Sequence, residues 1–560
     1  MRRSTAAALV AILLIAVFTR LMPLSEFVYW GSDIGEYHSL TDRLIGTGHL
    51  GTDYSGWGKT YPYFPGFYFV VGGGSMMGVD SNAALNLIPP LLNAVAVLLV
   101  FLVAVRLFRD DRIGLMAAGV LAVAFPYIYT NSHPIPSAIG TVLFLASMAL
   151  LVGSQSEMKK LAALLPLAAA IVVTHHLSTY FLIIAVLTAL VLRSLLASNF
   201  RWRSVAIEAV FLVALLALAL PFWLVYATPF RENLLGDLGT VPWWGPFAAL
   251  GIAALGWLVV VRLRRKSEWR FSPRYPTLRR NAVMFVLAIA FAFALMSLFT
   301  VINVLGTTIK IHLQDVLYIS PFLLLMALAA PGRRPLDFAR DGHKPTAWLA
   351  AFTLSLFAGS IVGEQVLIPY RHVDFMMIPV AIMVGSGIVL LHDLAFAGRK
   401  GGAVVVVIAV VLIAGNLAVA YPPQDIMAGY NEGTDSKSLV AMNWLPGHVD
   451  GLLATDHKAS MLSFGYGGTN ATWDTARETI FATSFTNAKS EMLGVNSPSG
   501  PKRVDFVLMN VDVRTGAQMF PWEPAIGLSE QAQAKFNGLP YQRFYDDGYT
   551  QIYWVNWGYS

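Results

Sequence analysis

The chain has no cysteine, and charge is scarce: only 13% of its 560 residues are Asp, Glu, Lys or Arg, against about 25% in an ordinary soluble domain. Without thiols there are no disulfides, thiolate nucleophiles, iron–sulfur clusters or cysteine zinc sites. The shortage of charge accompanies 56% apolar residues and a mean hydropathy of +0.60. Together these exclude a soluble enzyme, a disordered chain and a nucleic-acid binder, and name lipid as the main solvent. No internal repeat is visible. What the chain does have is a series of long apolar runs.

A spanning helix needs about 20 mostly apolar residues. Thirteen stretches qualify as candidates, near 5–24, 83–106, 113–129, 136–153, 161–177, 179–197, 205–226, 246–262, 282–302, 316–330, 347–368, 375–396 and 403–420. The first is read as a spanning anchor rather than a cleaved signal peptide. It is long, lacks a small-x-small cleavage site and leads straight into a polar loop.

Basic residues orient the spans. With Arg2 and Arg3 placed in the cytoplasm, alternation puts 24 Lys and Arg on the cytoplasmic side, including the dense run from Arg262 to Arg280. Only six fall on the other side of the membrane region: Arg20, Arg43, Lys59, Arg231, Lys310 and Arg371. The basic run is a topology determinant and a contact for anionic lipid. An odd number of spans leaves the C-terminus outside. From Tyr421 onward the material changes. Nine basic and fourteen acidic residues give −5, and no long apolar run remains. Short β-rich stretches at Val504–Val511 and Gln551–Val555 alternate with Gly, Pro and Asn turn signals. The expected organisation is a transmembrane part, 1–420, with a long first external loop, 25–64, followed by an external α/β domain, 421–560.

Function belongs where ionisable residues interrupt the membrane pattern, and these gather on the external side. The first loop carries Ser32-Asp33-Ile-Gly-Glu36-Tyr-His38. Asp33 and Glu36, three apart, share a helical face. Two carboxylates there suit a divalent cation or a general base, or Ser32 or Asp33 simply caps a helix. His133 follows a Tyr-rich helix end, and His175-His176 occupies the turn of a helical hairpin. Adjacent histidines point apart on a helix, so one is expected inward and the other packed. Lys310 and Arg371 are isolated external cations. A guanidinium at the membrane surface either grips a phosphate bidentately or snorkels. Asn470-Ala-Thr472 is the one N-x-[ST] sequon. Asp547-Gly548 reads as a hairpin turn.

This layout resembles the GT-C superfamily of membrane glycosyltransferases. Asp33 and Glu36 match the acidic residues of that family's long first external loop. Tyr61-Pro-Tyr-Phe-Pro65-Gly is similar to the Pro/aromatic approach to its next helices. The segment Tyr370-Arg371-His-Val-Asp-Phe-Met-Met-Ile-Pro379 resembles the oligosaccharyltransferase stretch whose arginine lies near the lipid phosphate. Thirteen spans with an external C-terminal domain is also similar to the aminoarabinose transferases. Two features depart from the oligosaccharyltransferases: the second external loop offers Asn131 and His133 in place of an acidic motif, and Ala454-Thr-Asp456-His-Lys-Ala-Ser stands where they carry the acceptor motif.

The resemblance implies a GT-C-like polytopic α-helical fold and inverting transfer of a sugar from a polyprenyl (dolichyl or undecaprenyl) phosphate to an external glycan, protein or lipid acceptor. It implies Asp33 and Glu36 as catalytic carboxylates, and Arg371, Lys310 and His175 on phosphate. Mg²⁺ or Mn²⁺, where a metal is used, is expected on Asp33, Glu36 and His133. The alternatives are a lipid-linked glycan polymerase, ligase or flippase, or a non-catalytic accessory protein of the same fold.

Overall fold

In lipid every backbone polar group needs an internal partner, so apolar runs of this length become helices. The computed structural model describes residues 2–152, 157–196, 205–238, 277–304, 308–362, 367–395, 399–474, 476–497, 500–519 and 523–559. Within them, six helices are long and apolar enough to cross a bilayer: Arg3–Ser25, Ser81–Phe108, His176–Leu195, Ala206–Tyr226, Leu278–Leu298 and Arg371–Leu394. A seventh arises if Asp111–Val123 and Phe125–Asn131, bent by 60°, form one broken span. Pro126 in the first turn of the second piece explains the break, because proline cannot continue the preceding ladder.

Other expected spans have helical counterparts in Pro136–Leu151, Glu157–Thr174, His343–Val362 and Arg399–Ala418. The stretch 316–330 departs from the expected single span. It divides into Leu313–Tyr318, Ser320–Ala327 and Ala329–Gly332, with Pro321 in the first turn of the second piece. The expected span 246–262 and most of the basic run lie outside the described residues.

The polar parts assemble at one end of this bundle. Strand β1 (Tyr29–Trp30) pairs antiparallel with β2 (Gly433–Thr434), stitching the first loop to the start of the tail. The tail builds a five-stranded mixed sheet whose order across the sheet is Ala471–Thr472, Leu452–Ala454, Val504–Asn510, Thr550–Val555 and Tyr541–Asp546. Its strands are β3 (Leu452–Ala454), β4 (Ala471–Thr472), β5 (Val504–Asn510), β6 (Tyr541–Asp546) and β7 (Thr550–Val555). The expected β stretches are thus β5 and β7, and Gly548 at φ +83° turns the hairpin from β6 to β7.

Strand β5 is buried on both faces. Val504, Val507 and Met509 join the tail's own core. Phe506 and Leu508 point the other way, into a core shared with Tyr29, Ile34, Tyr37 and Leu40 of the first loop. The loop and the tail therefore fold as one cap.

Helix Ile34–Thr47 lies on helix His457–Gly465 with almost no gap. A Cβ on Gly35 would meet the Met461 carbonyl oxygen at 1.9 Å, and one on Gly465 would meet the Gly35 oxygen at 1.9 Å. Only glycine permits that approach, and it brings His457 to Asp33. The sequon belongs to this packed region. Ala471 and Thr472 form β4, Thr472 is buried, and its Oγ1 donates to the Asn496 carbonyl at 2.9 Å. Asn470 itself is half-buried, with its Nδ2 donating to the Ser497 hydroxyl at 3.3 Å.

Candidate active site

Between the cap and the helices lie two cavities that share six lining residues: Asp33, Tyr37, Ile135, Tyr370, Arg371 and Asp374. The first, about 520 Å³, has a largely apolar wall that includes Met296, Ile309, Ile319, Phe322 and Leu323. The second, about 340 Å³, is aromatic, with Trp57, Tyr61, Tyr68, His176 and Trp473. Asp33 and Arg371 therefore stand where an apolar chamber meets an aromatic one.

Asp33 occupies the N-cap position of helix Ile34–Thr47, but its side chain makes no capping hydrogen bond. The carboxylate is turned outward. One oxygen lies 3.6 Å from His457 Nε2, and the other accepts from the Tyr61 hydroxyl at 3.5 Å. These long contacts leave lone pairs available to a substrate hydroxyl. Burial keeps His457 below its ordinary range, against the opposing pull of the Asp33 charge.

Glu36 does something else, which corrects its expected catalytic role. It is fully buried and lines neither cavity. Its carboxylate accepts from the Tyr54 hydroxyl at 2.6 Å and from the backbone N–H groups of Gly58 at 3.0 Å and Trp57 at 3.2 Å. Burial pushes its pKa up, and those three donors pull it down. Glu36 is the strut that folds segment 54–58 over the second cavity. Glu36→Gln replaces an acceptor oxygen with a donor facing donors. Removing one partner of a buried charge-assisted bond costs about 1.5–3 kcal/mol. The expected result is a melting temperature lowered by several degrees, read by thermal unfolding of the purified full chain.

Glu36 also breaks the expected metal trio. Its oxygens are committed to the 54–58 segment, and His133 sits beside another residue altogether. Among the described residues no three His, Asp or Glu side chains cluster as metal ligands. Asp33, Glu36 and His133 do not fit a shared divalent cation.

His133 is buried, with Nε2 at 3.9 Å from Glu432 Oε1, and it lines the first cavity. Burial, and then the Arg371 charge, hold it neutral, well below its usual range. Glu432 comes from the residue before β2. Its Oε2 accepts from the Ser32 backbone N–H at 2.8 Å. Burial and the nearby Asp33 charge push Glu432 up to about 7.

Arg371 begins helix Arg371–Ala395, with its guanidinium carbon 5.3 Å from the Tyr370 ring centroid. Among the described residues no carboxylate oxygen lies within 4 Å of it, so its charge is not consumed by a salt bridge. Lys310 is exposed and lines the first cavity alone. His175 lines the second, where its Nδ1 accepts from the Ser178 backbone N–H at 3.2 Å. Its Nδ1 also lies 2.8 Å from the Ser178 hydroxyl, and burial, with His176 and Arg371 adding to it, holds the ring well below its ordinary range. His176 packs its ring 4.7 Å from Phe230. Asp33 and Arg371 are thus brought together, with Lys310 and His175 on opposite sides of their junction.

Three residues at the site had no assigned role in the sequence reading: Glu432, Asp374 and His457. Asp374 sits one turn beyond Arg371 in the same helix, just ahead of the expected span 375–396, and an ionisable residue at the edge of a span was the available signal. His457 and Glu432 have no local signature, because the pairing of β1 with β2 and the Gly35–Gly465 contact bring them in from about 400 residues away along the chain.

No family model matches the chain, and no curated protein does either. Among solved structures it is similar to ArnT from Cupriavidus metallidurans bound to undecaprenyl phosphate, at 11% identity and a TM-score of 0.47, covering 99% of this chain and 98% of that one. It is also similar to the same protein in the apo state, at 12% identity and a TM-score of 0.40, covering 98% of each chain.

Proposed function

We propose that this protein is a membrane glycosyltransferase of the GT-C type. It takes a sugar from a polyprenyl phosphate in the first cavity and passes it, with inversion, to an acceptor hydroxyl in the second. The observation that carries this reading is the placement of the Asp33 carboxylate, which caps no helix, and of the Arg371 guanidinium, which has no salt-bridge partner among the described residues, at the junction of the two chambers. The polyprenyl-phosphate chemistry rests on the apolar wall of the first cavity and on its two cations, Lys310 and Arg371. The acceptor assignment rests on the aromatic wall of the second.

In the proposed step Asp33 takes the proton of the acceptor hydroxyl. That oxygen bonds to the anomeric carbon as the carbon–phosphate-oxygen bond breaks. The bonding pair leaves with the phosphate, where Arg371 and Lys310 stabilise the charge. His175 faces the step from the acceptor side, in the lining of the second cavity. The membrane orientation belongs to the same proposal: the cap and cleft face outward, and the N-terminus is cytoplasmic, as the distribution of basic residues demands.

The test is binding and transfer by the purified full chain, with a polyprenyl-phosphate sugar as donor. Ile319→Trp, which fills the first cavity from its apolar wall, is expected to weaken polyprenyl-phosphate binding by roughly tenfold or more, since overpacking typically costs about 1–3 kcal/mol. A wild-type protein that binds no polyprenyl phosphate refutes the reading.

A further inference from the structure

Helix Arg371–Ala395 starts in the cleft and ends beside Arg112, which holds Asp393 at 2.9 Å. At about 1.5 Å per residue its length is roughly 37 Å, so Asp393 marks the opposite face of the bundle. On that face lies another cavity, about 600 Å³, whose lining includes Arg106, Arg109, Arg340, Phe108, Val152 and Phe338. It shares no residue with the two cavities at the cleft.

The three arginines there are not alike. Arg106 is fixed by a hydrogen bond to the Ala149 carbonyl, near the end of helix Pro136–Leu151. Arg109 closes helix Ala96–Phe108 in the left-handed region, at φ 56°, with its N–H on the Val105 carbonyl at 2.8 Å. Arg109 and Arg340 are exposed, and among the described residues neither has a carboxylate oxygen within 4 Å. Arg112, close by in sequence, is instead neutralised by both Asp110 and Asp393. Among the described residues the one acid in the cavity wall, Asp341, is engaged by Lys344 at 3.4 Å.

A topological bias toward cations on one side of a membrane requires their presence, not their convergence on a cavity. Guanidiniums without acidic partners match phosphate oxygens. The remaining wall is apolar, and Phe338 leaves 48% of its surface open. A ligand that is anionic at one end and greasy at the other satisfies both halves.

We propose that this cavity binds a phosphate-bearing anion, with the headgroup of an anionic phospholipid as the source its half-apolar wall fits. The test titrates the detergent-purified full chain with phosphatidylglycerol or phosphatidylcholine and reads bound lipid by native mass spectrometry. The variants are Arg109→Gln with Arg340→Gln, and each alone. Arg333→Gln is the control, since Arg333 lies outside the cavity, paired with Asp337 at 3.6 Å.

Phosphatidylglycerol is expected to bind in preference to phosphatidylcholine. The double variant is expected to weaken it roughly tenfold or more through two lost cationic contacts, and each single variant less. The control should bind like the wild type, with melting temperatures unchanged throughout. Displacement of the lipid by inorganic phosphate, with the same dependence on Arg109 and Arg340, assigns the site to a soluble phosphate source. Equal binding by wild type and double variant, or an equal loss in Arg333→Gln, overturns the proposal.

Discussion

Asp33→Asn is expected to lower transfer from a polyprenyl-phosphate sugar by roughly 10²–10⁴-fold, the range that a positioned general base contributes. The substitution keeps shape and removes basicity. It should cost little stability, because the side chain does not cap its helix and its two contacts, to His457 and Tyr61, are long. Changes of this kind usually stay within about 0.5 kcal/mol. The check is the rate of single-turnover transfer with saturating donor, beside the melting temperature and the affinity for polyprenyl phosphate. The rate should collapse while the other two hold. Wild-type turnover in Asp33→Asn removes Asp33 from the chemistry and favours a lipid-binding or flipping protein. A loss of rate that tracks a loss of folded protein assigns Asp33 to structure.

The contrast with Glu36 shows where reading the sequence stops. Asp33 and Glu36 have the same local credentials: they are acidic, three apart and in the first loop after a span. Spacing puts both on one face of helix Ile34–Thr47, but it does not say what will cover that face. Segment 54–58 returns over Glu36 and spends its oxygens on Tyr54, Trp57 and Gly58, and Asp33 is left open at the N-terminal end. Arg371 was legible for a different reason. Cations are rare on that side of the membrane pattern, so one that remains there stands out. The strands β5 and β7 and the 547–548 turn were legible because alternation and turn residues are local signals.

Glu432 and His457 were not legible, since their place depends on a two-residue strand pairing and a glycine contact between distant helices. The broken helix at 316–330 shows the same limit in another form. Its apolar content is that of a span, and the division into three pieces is visible only once the backbone is traced.

Arg371 supports the second large prediction. Arg371→Gln is expected to reduce transfer by roughly 10²–10³-fold, as removing one stabiliser of a developing charge does. Arg371→Lys should recover part of that loss, because a point charge remains but the planar fork does not. The guanidinium lines both cavities and holds no carboxylate within 4 Å among the described residues, so its donors are open to whatever occupies the junction while its charge also acts on Glu432.

Removing Arg371 also exposes its neighbours to one another. Glu432 is pushed up to about 7 by burial and by Asp33, and the Arg371 charge helps to hold it down. In Arg371→Gln it should therefore stay protonated to higher pH than in the wild type. Kinetics separate the roles. If Arg371 stabilises the leaving phosphate, the first-order rate falls more than donor affinity. If it only anchors the ground-state phosphate, donor affinity falls and the rate at saturation survives. Lys310→Gln serves as the comparison. Lys310 is solvent-exposed and lines only the first cavity, so its loss should act mainly through donor affinity, by roughly tenfold or less, since the contact is screened by water. A first-order rate left intact in Arg371→Gln would remove the guanidinium from the proposed step.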